Sequence, residues 1–397
     1  MIKPDPKGPN PKGRGARPSV CFLYIAQTHQ ILHSLPIAIA LAKGWPDIDV
    51  HIATTTQEHL DYVRELLETL KVPPIPSRLL PPTWLRDLRL KGASTPPKAL
   101  MLAANARRLA RYDAIVTPER TTALLRKLGV RDTKLVYTQH GAGDRGGVFE
   151  PRRRQFDLVM AAGPKQRDRM LDEGWVTPQT CAMVGYPKFD IIDALPGSPL
   201  PTFPEAKPLV LYNPHFHPTL GSWPRWGRQI LERFAADERY NLIFAPHIRL
   251  FEGADPRTIE ALAPFVDHPR IHLDLGGPAA IDMTYTRAAD IYLGDVSSQI
   301  YEFLRTPKPC LFLNASNADW RGDESFHHWR YGPVLEGIDD VDDVVDAVAS
   351  AQRGHGDYVE AQKRGFAESF DLRETPSSVR AAQAIVDRLP VMKHRPR

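Results

Sequence analysis

Short apolar runs rich in β-branched and aromatic residues recur along the chain, separated by stretches whose apolar positions follow helical spacing. SVCFLYIA (19–26), DVHIAT (49–54), DAIVT (113–117), KLVYTQ (134–139), DLVMAA (157–162) and TCAMVGY (180–186) predict strands, and 56–70, 120–128 and 165–173 predict helices. This alternation predicts βαβ units, hence a parallel sheet with helices on both faces. Residues 194–208, ALPGSPLPTFPEAKP, carry five prolines and little periodicity and read as a linker. The pattern then restarts. PLVLYN (208–213), YNLIFAP (240–246), RIHLD (270–274), DIYLG (290–294) and PCLFLN (309–314) predict strands, with helices at 224–236, 256–263, 297–305 and 340–352.

A chain of 397 residues exceeds the ~250–300 residues that one hydrophobic core organises. The two halves therefore predict an α/β protein of two Rossmann-like domains facing a cleft. The expected boundaries are a disordered basic tail at 1–18, an acceptor domain at 19–195 and a donor-nucleotide domain at 206–375. Residues 376–397 are expected to form a helix packing back on the first domain, then a basic end. The proline cluster at 73–97 is expected to be an irregular excursion.

Charge changes the picture only at the ends. Lys3, Lys7, Lys12, Arg14 and Arg17 against Asp5 give the tail a net +4, which equals the formal charge of the whole chain. The body is thus neutral, without the basic face of a nucleic-acid binder. The ends, including Lys393, Arg395 and Arg397, are solubilising or make a peripheral contact with an anionic membrane. No apolar run reaches the ~20 residues of a membrane span, and no secretory signal is visible, so a cytoplasmic location is expected. Cys21, Cys181 and Cys310 sit far apart in apolar runs, without metal-ligand spacing, and read as small buried hydrophobes in strands.

In open parallel sheets, ligands bind beyond the carboxyl ends of the strands. YIAQTHQ follows the first strand where a dinucleotide fingerprint needs G-x-G-x-x-G, so no nicotinamide or flavin cofactor is expected. KLVYTQ runs into His140, Gly141, Asp144 and Arg145 among four glycines, a setting in which the backbone approaches a ligand and a histidine serves as base. PLVLYN leads to His215 and His217, and YNLIFAP to His247 and Arg249. Histidines at three strand ends across two domains point to a site, and no metal is expected because further ligands at suitable spacing are missing. DIYLG leads to Asp295, Ser297 and Ser298 and then an apolar-periodic helix bearing Glu302. Either serine caps that helix, or the helix start receives a phosphate and Glu302 reaches a ribose hydroxyl.

The series QHG (139–141), GYPKFD (185–190), YNPHFHP (212–218), APHIR (245–249) and GDVSSQIYEFLRTPKPCLFL (294–313) resembles the CDP-glycerol glycerophosphotransferase family, the teichoic-acid primases and polymerases. Arg321-Gly322 and Tyr331-Gly332-Pro333-Val334 support it, and motif order holds over 137–335. The resemblance implies a GT-B fold, with His140 as base of the His-Gly motif; His247, at a second strand end, is expected as a further catalytic histidine. The resemblance also implies that His247 and Arg249 contact donor phosphates; the family's Pro-Thr-Trp-Arg reads Pro-His-Phe-His here, and His215, His217 and Asp295 are expected at the donor phosphates as strand-end residues. Ser297, Ser298 and Glu302 are implied to hold the donor's phosphate and its glycerol or ribose. Lys188 falls where the family has arginine, and His-Gly-Thr-Pro reads His-Gly-Ala-Gly here.

Three functional readings follow. The first is transfer of glycerol phosphate from CDP-glycerol to a cell-envelope glycan or lipid-linked acceptor, with release of CMP. The second is a GT-B glycosyltransferase or nucleotide-sugar epimerase using a UDP-sugar. The third is a non-catalytic two-domain ligand-binding protein.

Overall fold

The computed structural model describes residues 17–88, 95–144, 151–337 and 343–389; most of the basic tail, the basic C-terminal end and Arg145 lie outside them. The chain divides into two compact units. One comprises Met1–His140, Glu150–Pro196 and Ser369–Arg397, the other Gly141–Phe149 and Gly197–Glu368. The segment after His140 therefore belongs to the second unit, although its neighbours in sequence belong to the first.

The first unit is built on β1 (Ser19–Tyr24), β2 (Asp49–Thr54), β3 (Ser77–Leu79), β4 (Ala114–Thr117), β5 (Lys134–Tyr137), β6 (Leu158–Ala161) and β7 (Cys181–Met183). They pair in the order β3-β2-β1-β4-β5-β6-β7, all parallel. β1 is buried along its whole length, as expected of a central strand covered on both faces. The helix Ser377–Val386 packs against the helix Leu35–Gly44 of this unit.

The second unit carries β8 (Leu209–Asn213), β9 (Asn241–Phe244), β10 (Ile271–Leu273), β11 (Ile291–Gly294), β12 (Cys310–Asn314) and β13 (Val334–Glu336), in the order β10-β9-β8-β11-β12-β13, again parallel. Trp226, Ile230 and Phe234 of one flanking helical stretch and Val344 and Val348 of another close over Tyr212, Phe244 and Leu313. Both sheets are doubly wound. Strand order reverses between β1 and β4 in the first and between β8 and β11 in the second, which are the ligand crevices of such sheets.

Two expectations need correction. The proline-rich stretch 73–97 is not wholly irregular, because it contributes β3 and the short helix Thr83–Asp87. Cys21 and Cys310 are buried, with thiols pushed up by burial (Cys21 to about 12), but Cys181 is half-buried. No described helix is long and apolar enough to cross a membrane.

Candidate functional site

In the first unit, chemistry gathers at the β1–β4 switch point and at the adjoining end of β5. His140 follows β5 and is half-buried. Its Nδ1 lies 2.7 Å from the Pro118 carbonyl oxygen, just beyond β4. A carbonyl only accepts, so Nδ1 carries the hydrogen and donates it, leaving Nε2 with the basic lone pair. Burial lowers the His140 pKa, opposed by the Glu119 carboxylate and the Pro118 bond, so the neutral base form is favoured. Burial pulls the Glu119 pKa up, but Lys98 at 2.7 Å and the Thr121 N–H more than offset it and hold the carboxyl at about 2. Glu119 is thus a fixed negative charge near His140.

β1 contributes what the sequence reading passed over. The turn Thr28–His33 carries His29, whose ring centroid is 6.5 Å from that of His140, and His33, which is buried. Burial, then Lys188, His140 and His29, hold the His33 pKa well below 6.5. Lys188, on the helix Pro187–Ala194, is itself buried. Its GYPKFD segment turns at Gly185, whose φ of +85° favours glycine. A cavity beside these groups is lined by His33, Thr138, Gln139, Gly185 and Tyr186.

In the second unit the centre is the β8–β11 switch point. Asp295, just past β11, is fully buried. Its Oδ1 accepts from the N–H of His215 (2.9 Å) and Val296 (2.7 Å); its Oδ2 accepts from the N–H (2.7 Å) and hydroxyl (3.0 Å) of Ser222. Burial raises the Asp295 pKa, against the pull of these donors. Asp295, expected among the donor-phosphate residues, is therefore the anchor of the 214–222 loop, its carboxylate filled by these four donors. Gly221 closes the same loop, since a Cβ there would lie 2.3 Å from the His215 carbonyl oxygen.

The anchored loop presents a histidine cluster. The His217 N–H donates to His215 Nδ1 (3.0 Å), and the Arg249 N–H donates to His247 Nδ1 (3.2 Å). The Thr219 hydroxyl meets His217 Nδ1 at 3.0 Å. With Nδ1 accepting from these backbone N–H groups, the neutral rings of His215 and His247 carry their hydrogen on Nε2, a donor suited to a phosphate oxygen. The His215 and His247 ring centroids lie 5.2 Å apart, with Phe216 against both, and the Arg249 guanidinium sits 4.3 Å over the Phe216 ring. Arg249 also pairs with Glu252 at 3.7 Å.

The predicted helix over 297–305 shortens to Gln299–Phe303. Ser298 stands at its N-cap without a side-chain cap bond, while the buried Ser297 hydroxyl accepts from the Gln299 N–H at 3.3 Å. Five residues align too few peptide dipoles for a helix-dipole phosphate site, so that part of the expectation is dropped. Ser298 is exposed, with Gly141 against it, and Glu302 is buried. Asp144 is buried too, bonded to Tyr301 and His328. The Lys-Pro part of the motif is a support: Lys308 donates to the carbonyls of Thr286, Arg287 and Ala289 at 3.1, 3.2 and 2.7 Å. Among the described residues no group of three or more histidine, cysteine or acidic side chains is placed to hold a metal ion.

No protein-family model matches the chain, and no curated protein sequence matches it. Solved structures do. One of the wall teichoic acid polymerase TagF matches with a TM-score of 0.58 at 13% identity, covering 94% of this chain and 88% of that one. The S. aureus MnaA–UDP co-structure matches with a TM-score of 0.58 at 12% identity, covering 93% and 95%. A UDP-GlcNAc 2-epimerase from Neisseria meningitidis, bound to UDP-GlcNAc, matches with a TM-score of 0.54 at 13% identity, covering 93% and 99%. At such identities the likeness establishes the fold alone, the GT-B type, in keeping with the two doubly wound parallel sheets.

Proposed function

We propose that this chain is a transferase that takes glycerol phosphate from CDP-glycerol and passes it to a hydroxyl of a cell-envelope glycan or lipid-linked acceptor. The observation that carries the reading is His140, a neutral imidazole at a strand end with Nδ1–H committed to the Pro118 carbonyl and Nε2 as the base. In this reading Nε2 takes the acceptor hydroxyl's proton as its oxygen attacks the donor's β-phosphorus. The phosphorus–oxygen bond to CMP breaks, and CMP leaves with its own phosphate. General-base help of this kind is worth ~10²–10⁴-fold.

The second unit's task is to hold the donor. His215 and His247 offer Nε2–H donors, with His217 next to them and Arg249 as a fixed positive charge for the diphosphate, and the Ser298 hydroxyl beside Gly141. Catalysis then rests on positioning and charge neutralisation as much as on the base. The motif order of residues 137–335 favours CDP-glycerol as donor. A UDP-sugar epimerase or glycosyltransferase is the second reading, favoured by the fold shared with a UDP-GlcNAc-bound epimerase.

The test is to incubate the purified chain with CDP-glycerol or UDP-GlcNAc and a panel of glycerol-phosphate and lipid-linked acceptors, following CMP, UDP and epimer. CMP release that depends on an acceptor supports the first reading. Turnover of UDP-GlcNAc alone moves the assignment to the second, and no turnover of either donor refutes both.

A further inference from the structure

Asp144, Tyr301 and His328 come from three distant parts of the second unit, and all three side chains are buried. Tyr301 donates its phenol hydrogen to Asp144 Oδ2, and His328 Nδ1 lies 3.3 Å from the same oxygen. On the other side of the ring, His328 Nε2 is 3.0 Å from the Asp295 carbonyl oxygen, which also accepts from Trp329 Nε1 at 2.7 Å. That carbonyl only accepts, so Nε2 carries a hydrogen. The Nδ1–Oδ2 contact then needs one more proton, on the imidazole or on the carboxyl. A deprotonated pair would set a lone pair against a carboxylate.

The place of the network matters as much as its chemistry. A Cβ on Gly141 would lie 3.2 Å from the Ser298 hydroxyl, so the serine occupies the space beside this glycine. Three residues on along both segments, Asp144 meets Tyr301, and the Tyr301 N–H donates to the Ser298 carbonyl at 3.2 Å. The same helix start follows directly from Asp295, which anchors the histidine loop. The Tyr331 phenol, 6.0 Å centroid to centroid from Tyr301, and Asp295 are further titratable groups beside the network.

We propose that Asp144, Tyr301 and His328 are positioning residues of the donor site, holding the Gly141–Asp144 segment against Ser298 so that the serine hydroxyl and the segment's backbone meet the nucleotide together. This rests on the donor-site reading above. It assigns Asp144 no contact with substrate.

The experiment is calorimetric titration of the full chain with CDP and UDP, well below each variant's melting point. Asp144→Asn puts either an amide oxygen, which accepts from Tyr301, or an amide NH2, which donates to His328 Nδ1, at the Oδ2 position, so it keeps one of the two bonds and should weaken binding less than Asp144→Ala does. Asp144→Ala removes both bonds and should weaken binding ~10-fold or more. Gly141→Ala leaves the network intact but presses a methyl on Ser298, and should also weaken binding. If Asp144→Ala does not fold, Tyr301→Phe, which removes only a hydroxyl, takes its place with an expected loss of ~5-fold. Wild-type affinity in both the Gly141→Ala and the Asp144→Ala or Tyr301→Phe proteins overturns this inference alone. A wild-type chain that binds neither nucleotide overturns the donor reading, and this inference with it.

Discussion

Replacing His140 with alanine separates a base from a structural histidine, because the two roles differ by orders of magnitude. The ring is half-buried and makes one committed hydrogen bond, Nδ1–H to the Pro118 carbonyl at 2.7 Å. Losing that bond costs about 0.5–1.5 kcal/mol of stability, which a two-domain chain tolerates. Losing general-base help of ~10²–10⁴-fold raises the barrier by about 2.7–5.4 kcal/mol. Rates of CMP release from CDP-glycerol, measured with saturating donor, should fall accordingly, while donor affinity by calorimetry stays unchanged. The pH profile adds a second check. Burial lowers the His140 pKa from 6.5, so the wild-type rate should hold through neutrality and decline only below that value as the base takes a proton. That acid limb should vanish in His140→Ala. A variant that keeps a third of the wild-type rate, or the same acid limb, refutes the assignment.

Two stability predictions follow from the other buried groups. Asp295→Asn turns one accepting oxygen into a donor that faces buried donors of His215 and Val296 or of Ser222, and should cost about 2–4 kcal/mol in urea denaturation; a loss under ~0.5 kcal/mol contradicts the anchoring role. His33 has a folded pKa well below 6.5, so unfolding takes up its proton as pH drops. Its contribution is fully present above about pH 6.5 and is lost as pH falls from there toward the folded value; His33→Gln should flatten the stability slope between pH 7 and 5, and equal slopes would count against it.

The central strands were legible because each is an unbroken apolar run of β-formers. DVHIAT matches β2 residue for residue, and the other predicted runs contain the observed strands. β3 and β13 were not legible. β7 and β10 are equally short edge strands, but SRL and VLE each carry a charged residue and lie close to prolines, so neither stands out as an apolar run of β-formers. The helix Lys98–Leu109 was missed because the prolines before it suggested an irregular segment. Strand-end reasoning found His140, His215, His247 and Arg249, since a parallel sheet delivers such residues to one edge. The same criterion applied to THQILH after β1 points to His29 and His33, although that segment carries no glycine fingerprint or other motif. Asp295 and Asp144 could be placed at strand ends but not given their roles. Whether a carboxylate faces solvent or four donors depends on residues such as Ser222 and His328, which are far away in sequence.

The most direct test of the account is whether the second unit's histidine–arginine cluster holds the diphosphate of a nucleotide donor. Calorimetric titration of the full chain with CDP-glycerol, CDP, UDP and UDP-GlcNAc, repeated on Arg249→Ala, measures this. Arg249 is stacked on Phe216 and is the cluster's permanent cation, and a charged hydrogen bond is worth about 1.5–3 kcal/mol. The account predicts that a nucleotide diphosphate binds, CDP-glycerol most tightly, and that Arg249→Ala weakens it by about 10-fold or more with the fold intact. Binding that is absent for every nucleotide, or unchanged in Arg249→Ala, contradicts it.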